Sequence, residues 1–385
     1  MPFEFIQISA NGQRREDSRP GCQGKRASRP VGNVTAVKQP KPFSSDRRGR
    51  LSSLTAVTAV FLCARCLAVV VADPGGMAAA QALAANPSYN SVGWVEINEG
   101  SSNYRGTGVL VAQDWVLTAA HNWDAGAVTG LEFHIAGNTY TAIPGGWLQH
   151  PGWSASPAVD YTQGSDIALI HLSALVTGIA PAALYSGTGE LGALITLVGA
   201  GSAGTAATGP RPNPTPLLYA TTNVIDRVIL SGAASGGLLG MDFDDGSALH
   251  NTLAGSAIYD TLGHQVALSG SLSVLSLPSS SSLSLLEGTS AAGDSGGPAF
   301  ADFGNGPVVV GLVSWGVNPS NLSNPYGSGQ GDITYLTRVS AFDDWILTTI
   351  PEPGVVGYIL VVVPFLCFMR RASRTDAPCD FTDVS

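Results

Sequence analysis

From residue 91 to about residue 350 the chain is written in short apolar or alternating runs, each closed by Gly, Asn, Pro or Ser. Runs at 92–97, 108–111, 115–118, 131–135, 166–172, 194–198 and 308–314 suit strands and are too short for helices. Many short strands with regular turn signals leave an all-β sandwich or a pair of barrels as the fold class. One segment, 340–349, has helical spacing, with Phe342, Trp345 and Ile346 on one face. No internal repeat is evident. Residues 201–216 are rich in Gly, Ala, Pro and Thr and read as a long surface loop. Residues 269–284 are rich in Ser and Leu and read as a flexible insertion or a poorly specified strand pair.

The composition agrees with such a chain and narrows its partners. Only 12% of residues are charged and 47 are glycine, which suits a loop-rich exported β protein. Residues 1–50 carry 11 Lys+Arg against 4 Asp+Glu, a net of +7; the remaining residues carry 8 against 24, a net of −16, with no lysine. Nothing in that body could neutralise a phosphate backbone, so nucleic-acid binding is excluded as its role. The five cysteines (Cys22, Cys63, Cys66, Cys367 and Cys379) all lie outside 67–366. The body is therefore built without disulfides or thiolate metal sites, and Cys63 and Cys66 have no second pair to complete a zinc site.

The ends differ from the middle. Residues 1–50 read as a disordered basic extension or a start assigned too far upstream. Arg47-Arg48-Gly49-Arg50, the apolar run 51–72 and the small residues of 77–80 describe a signal peptide over 51–80, interrupted by Arg65; an N-terminal membrane anchor has the same basic flank. The folded body is expected over 86–350. After it come Pro351-Glu352-Pro353, an apolar stretch over 355–369 and Arg370-Arg371, then a short polar tail over 372–385. Fifteen apolar residues are short for a span, which needs about 20, and the basic pair reads as an orientation signal.

Three motifs carry chemistry. Gly293-Asp294-Ser295-Gly296-Gly297-Pro298 sets one hydroxyl among residues that free the backbone for unusual conformations. A glycine two before Ser295 lets the N–H groups of Gly293 and Ser295 point into one small space, as an oxyanion requires. A serine also needs a base. Thr118-Ala119-Ala120-His121 places an imidazole just past an apolar strand. Asp166-Ile167-Ala168-Leu169-Ile170 places a carboxylate at the start of another, costly to bury unless it is hydrogen-bonded, for example to an imidazole N–H. His134, His150, His171, His250 and His264 have no such setting. Asp242-Phe243-Asp244-Asp245-Gly246 lacks the ligand spacing of a calcium loop and reads as an acidic turn, so no metal or cofactor is expected.

In this order these motifs resemble those of the trypsin/chymotrypsin-type serine proteases, whose triad is a worked template of catalysis. The resemblance covers about 91–350 and implies two packed antiparallel six-stranded β-barrels with a short C-terminal helix. It implies an endopeptidase in which His121 is the base, Asp166 its support and Ser295 the nucleophile, with Gly293 and Ser295 forming the oxyanion hole. Ser314-Trp315-Gly316 is similar to the strand that pairs with substrate backbone. Thr289, six residues before the nucleophile, would lie at the pocket floor, and Thr334 on a wall where glycine is common. Neither is charged, so small or modest apolar side chains are expected beside the scissile bond. Asn122 and Ala291 stand where the family usually has cysteines. The family's freshly cut N-terminus would pair with Asp294, and a cut near 80–90 is the expected source of one. The tail resembles a PEP-CTERM sorting signal, implying an exosortase-type processing partner, membrane association of the C-terminal segment before processing, and a bacterial cell-surface or matrix location. Within the enzyme class, esterase activity is a further reading. Outside it, the same fold could serve as a catalytically silent surface or matrix binding module, a role an intact triad argues against.

Overall fold

The computed structural model describes residues 69–72, 76–100, 102–123, 128–153, 164–230, 237–255, 257–260, 263–265, 273–276, 284–319 and 328–351. The basic extension 1–50, residues 51–68 of the leader-like segment and nearly all of the expected sorting tail lie outside them. Among the described residues no helix is long and apolar enough to cross a membrane.

The chain enters through β1 (Val69–Val71) and α1 (Gly76–Ala84). Six strands then follow: β2 (Val92–Glu99), β3 (Ser102–Ala112), β4 (Trp115–Thr118), β5 (Gly130–Ile135), β6 (Asn138–Gln149) and β7 (Ala168–Leu172). They close into a barrel in the order β2-β3-β4-β7-β6-β5, with β2 pairing to both β3 and β5. Alternation drives the closure. Leu131, Phe133 and Ile135 of β5 point inward, against Val95, Ile97, Leu110, Val116 and Ile170, while the intervening residues face out.

The second half comprises β8 (Leu194–Gly199), β9 (Ala203–Thr205), β10 (Gly209–Arg211), β11 (Tyr219–Val224), β12 (Arg227–Leu230), β13 (Gly237–Asp242), β14 (Ser273–Ser276), β15 (Gly288–Thr289), β16 (Pro298–Asp302), β17 (Pro307–Val317) and β18 (Ile333–Arg338). Eight of these form one sheet, in the order β11-β8-β16-β17-β18-β13-β12-β14. The all-β architecture with a six-stranded barrel and a short terminal helix is as the sequence implied. The second sheet holds two strands more than a six-stranded barrel, because β12 pairs with both β13 and β14 and takes up the edge of β13. The helix is also shorter than expected: a 3₁₀ turn occupies Val339–Phe342, and α2 runs over Asp343–Thr349.

Two expectations need correction. The supposed surface loop at 201–216 contains β9 and β10, which form a small sheet with β1 and β15 in the order β10-β9-β1-β15. Its anchor is β1, parallel to β9 and antiparallel to β15, with Val70 opposite Thr289. Val69, Val70 and Val71 are fully buried, and α1 packs onto β1, β9 and β11. The folded body thus begins at least as early as residue 69 rather than at 86. Part of the apolar run that reads as a leader is a buried strand of it.

The barrel and the second sheet pack through a shared apolar layer that includes Leu117, Ile167 and Leu169 from one side and Val198, Phe300 and Leu312 from the other. Phe342 and Ile346 close one end of it.

Candidate active site

Strand register brings the first two polar residues together. Thr118, the last residue of β4, lies opposite Ala168, the first of β7. His121, three residues beyond one end, and Asp166, two before the other, therefore leave the barrel at the same rim. The imidazole Nδ1–H donates to Asp166 Oδ2 at 2.6 Å, and the backbone N–H of His121 donates to Asp166 Oδ1 at 2.8 Å. Ser295 Oγ–H donates to His121 Nε2 at 2.7 Å, the tautomer following from the carboxylate, which can only accept.

Asp166 is wholly buried, and a buried carboxylate must be fully bonded to be tolerable. Its third donor is Ser314 Oγ–H, 2.5 Å from Oδ2. The β17–β18 register explains this contact. Val313 lies opposite Leu336 and Trp315 opposite Tyr335, so Ser314 is the bulged residue, and the bulge re-aims its hydroxyl toward the carboxylate. Thr337 Oγ1–H also donates, to the Asp166 carbonyl at 2.8 Å.

The turn carrying Ser295 is tied to both halves. Thr107 N–H and Asn122 Nδ2–H donate to the Ser295 carbonyl (2.8 and 3.1 Å), and Gly296 N–H donates to Val313 O at 2.8 Å. Gly293 and Gly296 hold φ of 93° and 80°, where side chains are strained. At Gly296 a Cβ would also meet Thr118 Oγ1 at 2.1 Å, so the approach of the turn to β4 requires glycine. No hydrogen bond from the N–H of Gly293 or Ser295 is formed among the described residues.

Thr289 and Thr334 also meet. Their hydroxyls are 2.8 Å apart, Ser290 Oγ lies 2.9 Å from Thr334 Oγ1, and Thr334 sits opposite Gly316 across β17–β18. These three hydroxyls satisfy one another and bring no charge. Asp294 faces away, fully buried, accepting the N–H groups of Ala291 (2.8 Å) and Gly201 (2.9 Å). Burial pushes its carboxyl up to about 7, and no cation among the described residues forms an ion pair with it. Among the described residues no group of three or more His, Cys, Asp or Glu is placed to hold a metal ion.

The structure thus brings His121, Asp166, Ser295 and Ser314 into one hydrogen-bonded group, and sets Thr289 against Thr334. Sequence reading missed Thr337, Ser290, Thr107 and the role of Asn122, which it marked only as a replaced cysteine. It also placed Ser314 with the substrate strand, without the bond to Asp166. An amide directly after the histidine was the one signal available for Asn122.

The family model for trypsin matches residues 85–241 and 284–346, more than half of the chain. The chain belongs to the trypsin family: it is a serine-type peptidase, a hydrolase of proteins or peptides. Among solved structures it is similar to HL collagenase, with 16% identity and a TM-score of 0.43 over 74% of this chain and 100% of that one. It is also similar to mouse neuropsin, a serine protease expressed in the limbic system, with 19% identity and a TM-score of 0.42 over 69% and 96% of the two chains.

Proposed function

We propose that the chain is an exported serine endopeptidase that cleaves after small, uncharged residues through a Ser295–His121–Asp166 triad. The observation that carries the reading is the unbroken line from Ser295 Oγ to His121 Nε2 (2.7 Å) and from His121 Nδ1 to Asp166 (2.6 Å). Ser295 Oγ attacks the scissile carbonyl carbon while its proton passes to Nε2. The carbonyl electron pair moves onto oxygen, where the N–H groups of Gly293 and Ser295 receive it. His121 then gives the proton to the leaving amine as the C–N bond breaks, and an acyl group remains on Ser295. Water repeats the sequence and releases the acid. Asp166 stays ionised, holding the imidazole tautomer and facing the imidazolium as it forms.

The substrate backbone pairs with Ser314–Gly316, and the adjacent side chain enters the pocket floored by Thr289 and walled by Thr334. With hydroxyls and no carboxylate, that pocket does not select Lys or Arg. Export is supported by the basic-then-apolar sequence upstream of residue 69. Pro351-Glu352-Pro353, the apolar stretch and Arg370-Arg371 support membrane retention of the tail, then exosortase-type processing to a surface or matrix form. Mass spectrometry of the mature C-terminus reads that step, and a chain still ending at Ser385 excludes it.

The triad is tested with Ser295→Ala. It should lose casein and peptide hydrolysis, by about 10³-fold or more, together with labelling by a serine-directed phosphonate, while thermal unfolding stays near wild type. Retained hydrolysis would sink the assignment. An inactive wild type would favour the silent binding module.

A further inference from the structure

The family match stops at residue 241 and resumes at 284. The described part of the intervening chain is built into the underside of the strand assigned above to substrate. Leu253 and Ile258 are buried with Trp315, Val317, Ile333 and Tyr335 in one apolar cluster, with Tyr259 at its edge. The Tyr335 ring stacks on Trp315 with centroids 4.2 Å apart. Tyr259 N–H donates to Tyr335 Oη at 2.9 Å, so the inserted backbone fixes the outer end of the ring that supports Trp315.

One side chain locks the insertion in that place. Arg227 on β12 is fully buried, and its guanidinium donates to the carbonyls of Leu253, Gly255 (2.6 Å) and Ala257 (3.2 Å), and to that of Asp226 (2.8 Å). A buried guanidinium must be saturated with acceptors. Three of these acceptors, Leu253, Gly255 and Ala257, are carbonyls of one loop, which the fork therefore holds in a curve. Leu253 N–H donates to Asp242 Oδ2 at 2.7 Å, and Thr252 Oγ1–H to Gly331 O at 2.7 Å, pinning the start of the curve to the ends of β13 and β18.

We propose that the insertion buttresses the substrate strand, with Arg227 and Tyr335 as positioning residues that set how firmly an extended peptide is held along Ser314–Gly316. Neither residue belongs to the triad or the oxyanion hole. The proposal rests on the reading of Ser314–Gly316 as the strand that pairs with substrate. A short ester, which does not reach along that strand, should be indifferent to the buttress. An extended peptide should sense it mainly through KM, because a misplaced strand weakens binding in ground state and transition state alike.

The test compares Tyr335→Phe, Arg227→Lys and Arg227→Met with wild type on two substrates: a single-residue acyl ester and a tetrapeptide carrying the same terminal residue and leaving group. Losing the Tyr259–Tyr335 bond should raise the tetrapeptide KM about 3–10-fold, in line with one hydrogen bond. The ester should change less than about 2-fold on the same scale. Arg227→Lys, which keeps the charge but not the fork, should fall between wild type and Arg227→Met. Equal losses on both substrates, or no loss on the tetrapeptide, overturn the proposal. If Arg227→Met does not fold, Tyr335→Phe decides alone, since it keeps the ring and its stacking. A wild type with no preference for the tetrapeptide over the ester instead refutes the substrate-strand reading itself.

Discussion

In the proposed reading Thr334 walls the specificity pocket, where its hydroxyl bridges those of Thr289 and Ser290. Thr334→Gly should deepen the pocket. Because a pocket gains about 10–200-fold per methylene it newly accommodates, the ratio of kcat/KM for Phe over Ala at the residue before the cut should rise at least about 10-fold. Thr334→Val, equal in bulk, should leave the ratio near wild type; a Gly variant that does the same excludes Thr334 as the wall. At this scale the sequence was informative wherever chemistry demands a residue type in a short motif, as for His121, Asp166 and Ser295. It was silent where the role depends on register. Thr337 reaches Asp166 only because of how β18 is aligned, and Ser314 only because β17 is bulged. Nothing local to either residue encodes that alignment.

Among elements, β1 and α1 were least legible. A buried three-valine strand and the apolar core of a leader have the same composition, so Val69–Val71 reads as the end of one. The error propagates. The strands β9 and β10 are three residues each, and their sheet is organised by β1, so without β1 the stretch 201–216 has only its Gly and Pro to be judged by. By contrast, β2, β4, β5 and β7 alternate or run apolar over enough residues to stand out unaided. Burying each valine side chain contributes about 1.5–3 kcal/mol, and α1 adds Ala80 and Ala84 to the core. A chain begun at residue 86 should therefore express as insoluble protein or unfold at least about 10 °C below one begun at residue 65, since about 1 kcal/mol shifts Tm by 2–4 °C at this size. Both should be made as Ser295→Ala to prevent self-digestion and compared by calorimetry. Equal Tm values would show that β1 contributes nothing.

The whole molecule combines a strongly acidic body with carboxyl groups buried in its second half. Burial raises Asp244 to about 8, with Asp242 and Glu287 adding to the effect; Glu287 is raised to about 7 and Asp294 to about 7. Each is therefore protonated in the folded chain at pH values where the unfolded chain has already ionised it. Through these three groups the folded state binds more protons than the unfolded one between about pH 4 and pH 8, so their contribution to stability falls as pH rises across that window. Their contribution is complete below the ordinary carboxylate range and is lost on passing the raised values. Thermal unfolding of Ser295→Ala between pH 4.5 and 9 should show Tm declining toward the alkaline end, and Asp244→Asn should flatten the decline. Repulsion among exposed carboxylates would give a similar slope, but about 0.5 M salt would screen it and would leave the buried groups nearly untouched. A slope abolished by salt would assign the pH dependence to the surface instead, and a Tm that rises from pH 5 to 8 would overturn the buried-carboxyl account.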